Sequence, residues 1–254
     1  MCCSLRDSSI EHLDCSACGI ESIEIDIENI PRNLKKLVLE DNNISADGCR
    51  EVAKLLQGEN TTLTDLHLKN NHIDDEGVEI LVNALRSNAA LRELHLQEND
   101  GINGRISKQG KIMLLKLVND ISSIEATMQS NHTLTKLYVN GFPVNGGKIW
   151  GTGDAIQLEI LSVLRINKNL SERGPIAVGK EKIIQTQLSS DRRAVLCRLQ
   201  EEEVECSVFN EIDPLHLPEV LSLIGRSHGQ GELYVALLSS IASLFSNRRK
   251  PSSE

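Results

Sequence analysis

The chain has 254 residues, of which 40% are hydrophobic and 25% charged, a composition that supplies a core for one or two folded domains and argues against disorder as the default. A formal net charge of −9 disfavours binding to a phosphate backbone, so no nucleic-acid partner is expected. With only 2% aromatic residues, an aromatic-lined ligand pocket or a base-stacking surface is also disfavoured.

In chain order, residues 1–9 read as a tail whose Met1 to Asp7 stretch lacks the apolar run of a secretory signal. The longest apolar run, Leu233 to Phe245, spans about 13 residues and is too short to cross a bilayer. The expectation is a cytoplasmic, intracellular protein with reduced thiols, no membrane span and no glycan on its sequons at Asn43, Asn60, Asn131 and Asn169. Cys2 and Cys3 could accept a palmitoyl chain, but no second membrane signal accompanies them.

A phrase of the form Leu-x-x-Leu-x-Leu-x-x-Asn then recurs: Leu34 to Asn42, Leu63 to Asn71 and Leu91 to Asn99, offset by 29 and 28 residues. Alternating Leu37 and Leu39 predict a short strand with both side chains inward, and Asn42, Asn71 and Asn99 are expected to cap backbone groups where the chain turns away. After each asparagine, Ile44-x-x-x-Gly48 and Ile73-x-x-x-Gly77 lead into apolar stripes at helical spacing, Val52, Leu55, Leu56 and then Ile80, Leu81, Ala84, Leu85. One strand and one helix make each unit, and a repeat of this period is a solenoid.

A degenerate copy precedes these at Ile10, Leu13, Cys15, Cys18 and Ile20; the Cys15-x-x-Cys18 pair falls on core and turn positions, with no second pair to complete a metal site. The phrase restarts at Leu134, Leu137 and Val139, 43 residues after Leu91, so 15 residues are inserted within 100–131. Ile106-x-x-x-Gly110 shows the usual helix arriving five residues late, after a loop near Asp100 to Arg105. Ser122 to Glu125 reads as a capping box that opens a short added helix toward Gln129. A turn-rich stretch from Asn140 follows, and Ala155 to Asn167 reads as a last repeat helix.

Beyond Ser171 no period is visible, and helices are expected at about 177–188, 190–201, 216–226 and 231–246. The expected organisation is a solenoid of about five units over 10–168, an all-α C-terminal region over 169–248 that caps its open end, and a tail over 249–254.

The units resemble the ribonuclease-inhibitor-like class of leucine-rich repeats, through the 28 to 29 residue period, the Ile-x-x-x-Gly step and the helix-to-strand joints Asn88 to Leu91 and Asn131 to Leu134. The resemblance implies an α/β fold, a right-handed horseshoe with a parallel sheet on its concave face, commonly used for protein recognition as a scaffold. Members include ribonuclease inhibitors and the GTPase-activating protein of Ran, which carry about twice as many units, so neither partner transfers.

Outward positions of the strands define rows that begin with His12, Asp14, Ser16 and Lys36, Val38, Glu40. The rows continue through Asp65, His67, Lys69; Glu93, His95, Gln97; and Lys136, Tyr138, Asn140. Partner binding is expected on Asp65, His67, Lys69, Glu93, His95, Gln97, Lys136 and Tyr138, with Tyr138 as the aromatic anchor and the insertion as a second surface. His67 and His95 should sit side by side, flanked by Asp65 and Glu93; such a set could hold zinc, but a mixed polar binding face is the favoured reading and no metal or cofactor is assigned. Gly174 to Lys180 satisfies G-x-x-x-x-G-K, yet Glu181 stands where a Mg²⁺-binding hydroxyl belongs, so the match is read as chance. His216 and His228 are read as structural.

No catalytic set emerges, and the expected function is a non-enzymatic, monomeric recognition module gripping a protein on the concave face. The alternative is a small-GTPase regulator of the Ran-activating type, although the strand-exit loops Asn42-Asn43, Asn71-His72 and Asn99-Asp100 offer no arginine finger. A third reading is an enzyme or metal-binding protein acting through His67 and His95 or through the helical tail.

Overall fold

The computed structural model describes residues 8–21, 31–58, 61–99, 106–139, 155–187 and 190–200. Within them the chain runs as β1 (His12–Asp14), β2 (Lys36–Val38), α1 (Ala46–Gln57), β3 (Asp65–His67), α2 (Asp75–Leu85), β4 (Glu93–Leu96), α3 (Lys108–Val118), α4 (Ile124–Gln129) and β5 (Lys136–Val139). It continues through α5 (Ala155–Leu170), a 3-10 turn (Ser171–Arg173), α6 (Pro175–Lys182), a π turn (Ile183–Gln187) and α7 (Ser190–Gln200). The expected helices near 216–226 and 231–246, the tail, the loop at 100–105 and Asn140 lie outside the described residues.

The five strands form one parallel sheet in sequence order, β1 to β5. Their register aligns Leu13, Leu37, Leu66, Leu94 and Leu137 in one row, so each repeat contributes the same inward leucine. Leu66, Leu68, Leu91, Leu94 and Leu96 are fully buried against the helices, where α1, α2, α3 and α5 pack in succession. A parallel pair requires a crossover, and here α1, α2 and the α3–α4 pair serve between β2 and β5.

Three features keep the units identical in phase. The first is the Ile-Gly step: a Cβ on Gly48, Gly77 or Gly110 would stand 2.7, 2.9 and 2.9 Å from the γ2 methyl of Ile44, Ile73 and Ile106. Only a residue without a side chain lets the helix start that close to the turn.

The second is the asparagine ladder. Asn99 accepts from the backbone N–H of Asn71 and Ile73 (both 3.1 Å) and donates to the carbonyls of Leu68, Leu96 and Gln97 (2.9 to 3.3 Å). Asn71 repeats the pattern, accepting from the Ile44 N–H and donating to the Leu39, Leu68 and Lys69 carbonyls, and Asn42 reaches Cys15, Cys18 and Ile20. Buried backbone groups at the turns are thereby satisfied without water.

The third is a left-handed residue just before that ladder: Ala17, Asp41, Asn70 and Glu98 have φ of 53°, 57°, 50° and 58°. Asp and Asn tolerate this region, whereas Ala17 and Glu98 hold it at some cost because the ladder fixes the turn.

At the joints between helix and strand, Asn88 donates to the Leu56 carbonyl (2.8 Å) and Asn131 to the Leu85 carbonyl (2.8 Å). Asn167 repeats this toward the Asn131 and Leu134 carbonyls (3.3 and 2.6 Å). Asn167 itself lies in the last turns of α5, and the helices that follow take the place of a further strand-bearing unit.

These helices are fastened by polar groups as well as by Val178, Ile183, Ile184 and Leu196, which are buried. Fully buried Lys182 donates through Nζ to the carbonyls of Val118 (2.5 Å) and Asn131 (3.2 Å) and to His132 Nδ1 (2.9 Å). Since His132 Nε2 lies 3.0 Å from the Met128 carbonyl and must donate there, Nδ1 is free to accept from Lys182. The Val118 carbonyl ends α3, where the helix dipole favours a cation. Burial drives the Lys182 pKa well below its usual value, and burial with the Lys182 charge lowers that of His132 to about 4. Gln200 adds a second fastening, accepting from the Ile121 N–H (3.2 Å) and donating to the Asn119 carbonyl (2.6 Å).

Several expectations shift in detail. The added helix is capped by Ser123, whose hydroxyl accepts from the Ala126 N–H, and so begins one residue later than the Ser122 to Glu125 box implies. The helix expected at 177–188 is α6 plus a π turn and starts at Pro175, whose fixed φ suits the first helical position. The G-x-x-x-x-G-K segment forms the opening of α6 and offers no phosphate-cradling loop; Gly179 is packed so that a Cβ would meet Met128 Sδ at 2.7 Å.

Candidate partner-binding face

On each strand the residues flanking the inward leucine point away from the helices. Register carries them into two rows across the sheet: Lys36, Asp65, Glu93, Lys136 and Val38, His67, His95, Tyr138. Beyond the strand ends stand Glu40, Lys69 and Gln97. Asp65, His67, Lys69, Glu93, His95, Gln97, Lys136 and Tyr138 therefore occupy one face, as their phase in the repeat requires.

The second row is a stack of rings. His67 and His95 have centroids 3.8 Å apart with planes 12° from parallel, and His95 meets Tyr138 at 4.5 Å and 44°. Ring pairs of this kind are worth about 0.5–1.5 kcal/mol beyond the area they bury, so the stack stiffens the centre of the face.

Around it, charges are mostly paired. Lys136 donates to the Glu93 carboxylate, and Lys69 reaches Glu98 at 3.1 Å; both lysine pKa values are raised, first by these carboxylate bonds. His67 Nδ1 lies 2.9 Å from Glu40 Oε1. The carboxylate beside His67 is therefore Glu40, not Asp65, which instead accepts from the Thr64 hydroxyl (2.5 Å). Glu40 lies beyond β2, two residues past Val38, the register partner of His67, which is the diagonal reach of a long side chain.

His95 differs from its neighbour. Its Nε2 is 3.8 Å from Glu93 Oε2, beyond hydrogen-bond range, because Glu93 is held by Lys136. That nitrogen is buried without a partner, as is Gln97 Oε1 on the same strand. Burial lowers the His95 pKa to about 4, with His67 adding to the effect and Glu93 and Glu40 opposing it. The ring is neutral at pH 7, keeping the stack free of like-charge repulsion.

Glu40, His67 and His95 also present one ligand atom each, all within 4.8 Å of one another. The Cys15 and Cys18 thiols, by contrast, are free, half-buried and exposed respectively. At the core, burial pushes the Cys49 thiol up to about 12, leaving it inert.

Two stretches, residues 31–53 and 59–82, match the family model described as Leucine Rich repeat, and they correspond to the β2–α1 and β3–α2 units. A comparison with curated proteins finds no match. Among solved structures, leiomodin-1 actin-binding site 2 is similar, at 18% identity over 75% of this chain and 92% of that one, with a TM-score of 0.41. A likeness at that level carries no argument about what this chain binds.

Proposed function

We propose that the chain, two stretches of which match the leucine-rich-repeat model, is a non-enzymatic recognition module gripping a protein partner on the concave face of its sheet. The observation that carries this reading is the face itself: a half-buried Tyr138 at the end of a ring stack, bordered by the Lys136–Glu93 and Lys69–Glu98 pairs. Rigid aromatic area at low entropic cost, ringed by charges of both signs, suits selective protein contacts. Leucine-rich repeats generally mediate protein–protein interaction.

The 28 to 29 residue period and full helices between strands support the ribonuclease-inhibitor-like class in particular. We place the protein in the cytoplasm as a monomer. No helix among the described residues is long and apolar enough to cross a membrane. A small-GTPase regulator gains no support from either the face or the comparisons. Immobilised parent protein should recover partners that a Tyr138→Ala, Glu93→Ala double variant loses; equal recovery of every partner would remove the concave site from the account.

A further inference from the structure

We propose that Glu40, His67 and His95 form a binding site for a divalent transition-metal ion of the zinc class. The three residues come from successive strands, one nitrogen from each imidazole and one carboxylate oxygen, with all three ligand atoms within 4.8 Å of one another. Two histidines and a glutamate are a ligand set that zinc accepts, and three protein ligands leave a tetrahedral position open to water or to a donor from a partner.

Two further observations point to a ligand here. Glu40 Oε1 and His67 Nδ1 are 2.9 Å apart, and a separation of about 3.4 Å would place both on one tetrahedral ion at about 2.1 Å, a change of about half an ångström. His95 Nε2 is buried with no hydrogen-bond partner, and a buried nitrogen with an unused lone pair is what a metal bond would satisfy. Glu93 Oε2, 3.8 Å from that nitrogen, adds a carboxylate beside the ligand atoms.

The stack is the obstacle. With planes 12° apart and centroids 3.8 Å apart, the lone pairs of the two rings lie in nearly parallel planes, so they do not converge on one point as they lie. One ring must turn about its Cβ–Cγ bond, a torsion with a broad profile, and give up part of the stack. Two stacked rings and one His–Glu hydrogen bond are weak beside three metal–ligand bonds, so the ion reorganises the face. The site is independent of whether the same face grips a protein.

Cobalt(II) titration of the full chain tests this, because its absorption separates nitrogen and oxygen ligands from thiolates. The expected result is one equivalent bound at micromolar metal without a thiolate charge-transfer band, displaced by zinc, with the His67 and His95 ring protons paramagnetically shifted. Glu40→Gln, His67→Gln and His95→Gln should each weaken binding at least about tenfold, and His12→Gln should not. Absence of binding, a thiolate band abolished by Cys15→Ser with Cys18→Ser, or binding unchanged in folded Glu40→Gln and His67→Gln would overturn the site. Should His95→Gln fail to melt cooperatively, the ring-proton shifts of the parent decide the role of His95.

Discussion

The stretch from β2 through β4 and the stretch from α3 through α7 solve the same problem differently. In the first, every unit repeats the inward leucines, the Ile-Gly step and the ladder asparagine, so each contact is made once and copied. In the second, the phrase is interrupted and then ends, and single polar groups take over: Lys182, Gln200 and Asn167 satisfy carbonyls or N–H groups that another repeat would have covered. A solenoid can be extended by copying, but it must be closed by exception, because an end unit faces groups without a next neighbour.

The comparison can be broken from either side. Asn99→Ala removes the acceptor of two backbone N–H groups and the donor to three carbonyls in a buried turn. The expected cost is about 3–5 kcal/mol in urea unfolding, the largest of those considered, since several backbone groups are left unpaired together. A loss below about 1 kcal/mol would show that the ladder is decorative.

At the closed end, Lys182→Met keeps the bulk but strands the Val118 and Asn131 carbonyls and His132 Nδ1. Destabilisation of about 2–4 kcal/mol is expected, with hydrogen exchange rising first in α4 and α6. Exchange rising equally in α1 would mean that the two regions do not differ as argued.

Acid sharpens the same contrast. His95 and His132 both titrate near 4 when folded, below the usual 6.5, so between those values the unfolded chain binds more protons than the folded one. Stability is unaffected by these two groups above about pH 7 and falls as pH drops from about 6.5 toward 4. Protonating His132 would also set a second donor against Lys182. His132→Gln should flatten part of this fall in midpoint against pH, and an unchanged profile would remove His132 from the explanation.

The smallest effect concerns the turns. Glu98 holds a φ of 58° that Asn accepts more readily, and Glu98→Asn should gain about 0.5 kcal/mol by thermal or urea unfolding, less what the Lys69 pair contributes. A loss in place of a gain would show that the pair outweighs the turn.

How far the residues announced this arrangement depends on range. Period and phase made Leu37, Leu66, Leu94 and Leu137 recognisable as one row, and hence His67 beside His95, because parallel register follows from the repeat itself. The insertion was legible as a helix arriving late, since Ile106 and Gly110 copy an earlier step. The left-handed residues were not, because Glu98 and Ala17 lack the identity that marks such turns. Glu40 beside His67 follows the register of adjacent units, whereas Lys182 beside His132 is a contact between residues 50 positions apart, set by packing that no local pattern encodes.

The central claim, recognition through the concave face, is tested most directly by comparing partner capture across three folded proteins: the parent, Tyr138→Ala with Glu93→Ala, and a control altered on an exposed residue of α2 such as Glu76→Ala. Quantified recovery should fall for the concave variant and hold for the control, as expected if Tyr138 anchors the partner. Partners retained by the concave variant but lost by the helix-side control would contradict the account.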